Sequence, residues 1–260
     1  MAGLRSNRLA TANALFLSLL VAAATAPLRV PLVDHSATTR AKRRARATKL
    51  ISMRQASNIM EAVAFAKSIC LPLVAHLTIH WGLTDVGDDP DGTLFAKLRE
   101  GLDKWLQRRG IAFNGAWSRE RQSGGVSDVV HCHLLFHLPV AYRAGSRLRE
   151  VEAAITRLVK RHGNDYWADQ VIKLVIHDEP PYPDGKYLIK GGGPKIWKKF
   201  GVRKEHRRLQ GPISGKRCGT TQNIGPAARR GAAGRPETSL VENVGEGQIW
   251  SSRGEMWETG

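Results

Sequence analysis

Across residues 53–178 the spacing of apolar side chains switches between the helical and the extended period. In 53–70, Ile59, Val63, Ala66 and Ile69 recur three or four residues apart, which predicts a helix. Leu73–Trp81, "LVAHLTIHW", alternates and carries β-branched residues, which predicts a strand. A turn cluster, "DVGDDPDG", follows. In Thr93–Gly110, Leu94, Leu98, Leu102 and Leu106 form one helical face, and Gly110 supplies a stop. Ile111–Glu120 and Ser127–Pro139 read as strands joined by a loop centred on Ser123-Gly124-Gly125, as in an antiparallel hairpin. Arg147–Gly163 returns to the helical period and Gln170–Asp178 to the extended one. The order strand, helix, strand, strand, helix, strand predicts an α+β domain of the ferredoxin-like type. It would have an antiparallel sheet with helices on one face.

Outside that region the pattern fades. Residues 1–52 read as a leader and basic linker, 53–200 as the folded domain, 201–230 as a basic extension and 231–260 as a disordered tail. Arg5 and Arg8 precede an apolar run, Ala14–Ala26, shaped like a secretory signal peptide and short for a membrane span. Arg40–Arg54 then holds seven basic residues and no acid, an odd continuation for an exported chain. The alternatives are a translation start at Met53 or a disordered or loosely helical lead.

The 260 residues carry 40 Lys and Arg against 23 Asp and Glu, a formal charge of +17. That excess favours a polyanionic partner, nucleic acid before an anionic membrane surface. The nine Lys and Arg against one Glu between Lys186 and Arg208 concentrate it. Three separated cysteines exclude both a disulfide framework and a four-cysteine zinc site. They favour a reducing compartment, so a cytoplasmic location is expected, with export only if the leader is a genuine signal and no membrane partner.

The third strand, "VVHCHLLFHLP", changes the picture. Side chains alternate across a strand, so Val130, Cys132, Leu134, Phe136 and Leu138 form an apolar face to pack under helices. His131 and His133 share the other face, about 6.6 Å apart along the strand, where two imidazoles can converge on one ion. Cys132 points away, and His137 lies too far along to join them. For an isolated His-x-His, ordinary half-buried histidines are the commoner explanation. Glu120 before the hairpin loop can come across from the neighbouring strand. Two imidazoles and a carboxylate suit a divalent cation such as Mn²⁺ or Mg²⁺, with positions open for a phosphate. Further on, Tyr187 and Lys190 stand three apart in "DGKYLIKGGG", on one face of a short helix capped by Asp184. A phenol beside an ammonium is a sensible nucleophile for a phosphodiester. Tyr182, between two prolines, is stiffer, and Tyr166 and Trp167 look like packing residues.

Together, "HCH" at His131–His133, the upstream Glu120 with its glycine-containing loop, and "YLIK" at Tyr187–Lys190 resemble the HUH endonucleases. The nearest branch is the rolling-circle replication initiators with one catalytic tyrosine, and the resemblance spans roughly residues 73–200. It implies a metal held by His131, His133 and Glu120, and a nucleophilic Tyr187 assisted by Lys190. It also implies single-stranded DNA or a replication origin as substrate, with host replication proteins as possible partners. Cys132 stands where a bulky aliphatic is usual. Lys186, Lys195, Trp197, Lys198, Lys199 and Arg203 are the candidate DNA-binding residues, by phosphate contact or, for Trp197, base stacking. The competing expectations are a basic nucleic-acid-binding protein without chemistry and an exported cationic protein.

Overall fold

Ser52 opens the first helix with a reciprocal cap. Its hydroxyl accepts from the Gln55 N–H, and Gln55 Oε1 accepts from the Ser52 N–H at 2.8 Å. The structure is a computed structural model, and it describes residues 47–121, 129–164, 168–179, 182–207 and 210–234. Its helices are α1 (Met53–Ser68), α2 (Thr93–Gln107), α3 (Gly145–Gly163), α4 (Pro194–Phe200) and α5 (Pro226–Ala233), with a single further helical turn at Ala168–Val171. Its strands are β1 (Ala75–His80), β2 (Gly115–Arg121), β3 (Val130–Phe136), β4 (Ile172–Ile176) and β5 (Cys218–Thr220). The described residues belong to one compact unit, Ala45–Gly260. Residues 1–46 of the predicted leader and linker (1–52), residues 235–260 of the predicted tail (231–260), the hairpin loop at Ser123–Gly125, and Tyr166 and Trp167 lie outside them.

The sheet runs β4-β1-β3-β2-β5 with every pairing antiparallel. Its first four strands have the ferredoxin-like order, and β3, the histidine strand, is central. The apolar face of β3 packs as its alternation requires. Val130, Cys132, Leu134, Phe136 and Leu138 are buried with Phe95, Leu98 and Leu102 of α2 and Val151, Ile155 and Val159 of α3. The apolar stripes of these two helices recur at three- and four-residue spacing, so each buries one side. Asp89 caps α2, accepting from the Leu94 and Phe95 N–H groups. The glycine stop after α2 is the left-handed Gly110, whereas α3 runs through Gly163 and the left-handed residue is Asn164.

The opposite face is divided. Toward one end of the strands it turns apolar at Ala116 and Leu135, and α1 covers it with Ala56, Ile59, Ala62 and Val63. Toward the other end it stays polar, and His80, His131 and His133 lie there. Helix cover thus extends to both faces of the sheet, on the second face over the row of Ala116 and Leu135.

The sheet also continues past residue 200. β5 pairs with β2, Thr48 bridges to Ile213, and Ile51 bridges to Gly192. Residues 48–51, read from sequence as linker, and 210–224, read as extension, are therefore built into the fold. Two buried arginines fasten them. Arg217, fully buried, donates to the Thr48 and Gly211 carbonyls at 2.6 Å each. Arg119, 1% exposed, donates from Nη2 to the Asp89 and Pro90 carbonyls (2.7 and 2.9 Å). Its Nη1 donates to the Ser214 and Lys216 carbonyls (2.9 and 3.3 Å). Gly92, at φ +84°, lets it through, since a Cβ there would sit 2.6 Å from the guanidinium. Arg119→Met strips a donor from four carbonyls, so a loss of roughly 3 kcal/mol or more is expected. The urea midpoint measures it; a change below about 1 kcal/mol would refute this account of the fastening.

Candidate metal centre

Register assembles the site. On β3, His131 faces Glu120 of β2 on one side and His80 of β1 on the other. His133 faces Ser118 and Thr78 in the next polar row. Cross-strand neighbours on one face lie within side-chain reach, and the three candidate ligands converge. One ligand atom each from Glu120, His131 and His133 fall within 4.8 Å of one another. Glu120 Oε2 lies 3.3 Å from His131 Nε2 and 3.5 Å from His133 Nε2.

The donor chemistry fits a cation. Glu120 is 2% exposed and its other oxygen, Oε1, is buried with no partner. A buried carboxylate oxygen left unpaired is costly, and a metal ion is one group that would satisfy it. Thr78 Oγ1 lies 3.0 Å from His133 Nδ1. With Nδ1 protonated and donating to that hydroxyl, Nε2 keeps its lone pair toward Glu120, the usual way an outer partner orients a ligating histidine. The Glu120–His131–His133 group can therefore bind a metal ion. Cys132 faces the core, where burial pushes its thiol up, and takes no part. His137 hydrogen-bonds the Pro72 carbonyl at 3.0 Å beyond the strand end, a packing role.

The tyrosine motif folds as a 3₁₀ turn, Lys186–Ile189, entered through the left-handed Gly185. Asp184 still caps it in part, accepting from the Lys186 N–H at 3.0 Å. Leu188 and Ile189 plug into the second core. With three residues per turn, Tyr187 and Lys190 fall on the other side, toward the histidines. The Tyr187 ring stands edge-on to His133 at 4.9 Å between centroids. Lys190 Nζ lies 3.6 Å from the centre of that ring, 3.0 Å from Glu120 Oε2 and 3.5 Å from His133 Nε2.

A groove of about 690 Å³ runs over this cluster. Both Tyr182 and Tyr187 line it, but the ring contacts to histidines belong to Tyr187. Of the candidate DNA-binding residues, Lys186 and Arg203 line the groove. Lys195, Lys198 and Lys199 are exposed on α4 outside its lining. Trp197 packs against the second core and donates its indole N–H to the Lys190 carbonyl at 2.9 Å, so it holds the tyrosine turn in place.

Sequence reading missed several groove residues: His76, Thr78 and His80 from β1, Lys173 from β4, and His177 and His206. His80 stacks on His131 at 5.2 Å, and Tyr187 meets His76 at 5.1 Å and His206 at 5.2 Å. The signal was present, because "AHLTIH" alternates exactly as the histidine strand does, with His76, Thr78 and His80 on one face.

Burial dominates the electrostatics. It lowers His133 to about 4 and His76 to about 3, with Lys190 and neighbouring histidines working in the same direction and Glu120 against it. Burial alone would raise the Glu120 carboxyl, but His133, His131 and Lys190 outweigh it and hold it well below the usual range. His133, ordinarily near 6.5, is thus harder to protonate folded than unfolded, and the unfolded chain binds more protons between pH 6.5 and about 4. The metal-free protein should be at full stability above pH 6.5. Below that it should lose stability, with a slope approaching about 1.4 kcal/mol per pH unit for each such histidine. Urea midpoints in chelator from pH 8 to 5 test the sign; a flat profile contradicts it.

No family model, curated protein or solved structure matches this chain, so geometry alone carries the reading of the site. Among the described residues no helix is long and apolar enough to cross a membrane.

Proposed function

We propose that this protein nicks and rejoins single-stranded DNA through a phosphotyrosine intermediate, as the HUH endonucleases that initiate rolling-circle replication do. The observation that carries the reading is Tyr187 and Lys190 set against the Glu120–His133 pair, beneath a groove with Lys173, Lys186 and Arg203 on its walls. His131, His133 and Glu120 would hold a divalent ion, Mn²⁺ or Mg²⁺, whose Lewis acidity polarises the scissile phosphate. The basic side chains hold the flanking phosphates. The Tyr187 oxygen attacks phosphorus; its bond to the 5′-phosphate forms as the bond to the 3′-oxygen breaks. The phenol proton is given up and the departing 3′-oxygen takes one, leaving a free 3′-hydroxyl. Attack by that or another 3′-hydroxyl on the phosphotyrosine restores the phenol and rejoins the strand. Lys190 next to the ring favours the phenolate.

The test is incubation with labelled single-stranded oligonucleotides and Mn²⁺. A denaturation-resistant adduct that disappears in chelator is expected. Salt-sensitive DNA binding with no adduct on any sequence of a randomised pool would leave the non-catalytic alternative.

A further inference from the structure

Lys190 stands over the His133 nitrogen that a metal ion would need and beside the carboxylate that would hold it. Its ammonium is bound by Glu120 Oε2 and approaches His133 Nε2, and that same oxygen also faces His131 Nε2, while Oε1 has no partner. The Lys190 side chain is only 12% exposed, so this is an enclosed ion pair rather than a surface contact. His133 Nε2 has one lone pair, which the ammonium and a divalent ion cannot both take, and an ion held by Glu120 through either oxygen would face the ammonium at contact distance, where the two cations repel.

We infer that Lys190 is an internal counter-ion which the metal displaces, so that metal binding frees its ammonium into the groove beside Tyr187. This rests on reading Glu120, His131 and His133 as a metal centre. Without metal, Lys190 neutralises a carboxylate that would otherwise be a buried, unpaired charge. With metal, the ion takes over that duty. The displaced ammonium needs little travel, since it already lies 3.6 Å from the centre of the Tyr187 ring. There it meets the nucleophile and an incoming phosphate. The cation that assists Tyr187 thus becomes available only once the metal site is filled.

Two measurements on the full chain at pH 7.5 test this. The first is Mn²⁺ titration calorimetry of the wild type, Lys190→Met and Lys190→Arg. Removing the competing cation should tighten binding on the order of tenfold or more, while Lys190→Arg stays near the wild type. The second is amine acetylation of the wild type, read residue by residue with and without saturating Mn²⁺. Lys190 should become more reactive with metal and Lys186, held by Asp184, should not change. Lys190 labelling that is unchanged by bound Mn²⁺ overturns the counter-ion role whatever the variants do, and stands alone if Lys190→Met fails to fold. Mn²⁺ binding that is no tighter in a folded Lys190→Met also overturns it while leaving the metal centre intact. A wild type and Lys190→Met that both bind no Mn²⁺ would instead remove the metal centre itself.

Discussion

Tyr187→Phe should abolish the covalent protein–DNA adduct while leaving fold and DNA affinity in place. The substitution removes one oxygen. That oxygen takes part in no hydrogen bond of the described structure, and the ring contacts to His76, His133 and His206 survive in phenylalanine. A nucleophile's loss typically costs several orders of magnitude in rate, so the adduct should fall below detection. The thermal midpoint and the salt dependence of DNA binding should match the wild type. Tyr182 lines the same groove, so Tyr182→Phe is the essential comparison. An adduct that persists in Tyr187→Phe and disappears in Tyr182→Phe would reassign the nucleophile.

The second large effect is expected from Glu120. Its carboxylate is the one anionic group of the cluster, and it lies beside His131 and His133 and accepts from Lys190. Glu120→Gln keeps the shape but removes the charge, so Mn²⁺ affinity should drop by about two orders of magnitude or more. A protein that binds metal only when folded gains about 2.7 kcal/mol at a free concentration of 100 times Kd. The wild type should show that upward shift in thermal midpoint on adding Mn²⁺, and Glu120→Gln, at the same concentration, should gain about 0.4 kcal/mol or less. A Glu120→Gln protein stabilised by Mn²⁺ as strongly as the wild type would place the metal elsewhere.

The parts of the fold written in strong periodicity were legible. The stripes of α2 and α3 and the alternation of β3 gave the element order, and parity alone put Cys132 and His133 on opposite faces. Glu120 could be proposed because a hairpin fixes its neighbour across β3. His80 could not be, since its place beside His131 depends on β1 joining the sheet at that register, a pairing 51 residues away in the chain. β5 is three residues long, "CGT", too short to show a period. Nothing in the sequence marks Arg119 or Arg217 for burial; only backbone carbonyls converging from distant loops make it tolerable. Trp197 suggested base stacking because its sequence neighbours are lysines, yet the stripe it shares with Ile196 faces inward.

The bonds from Arg217 to Thr48 join residues 169 positions apart. Closure of the sheet edge therefore waits on synthesis of nearly the whole domain, and contacts of such sequence separation form late and slowly. A nascent chain that has emerged only as far as residue 200 already carries His131, His133, Tyr187 and Lys190. It still lacks the strand that pairs with β2, the strand bearing Glu120. Assembly of the Glu120–His131–His133 cluster is thereby tied to completion of translation through residue 220, so a half-made copy carries its side chains without the edge that frames them.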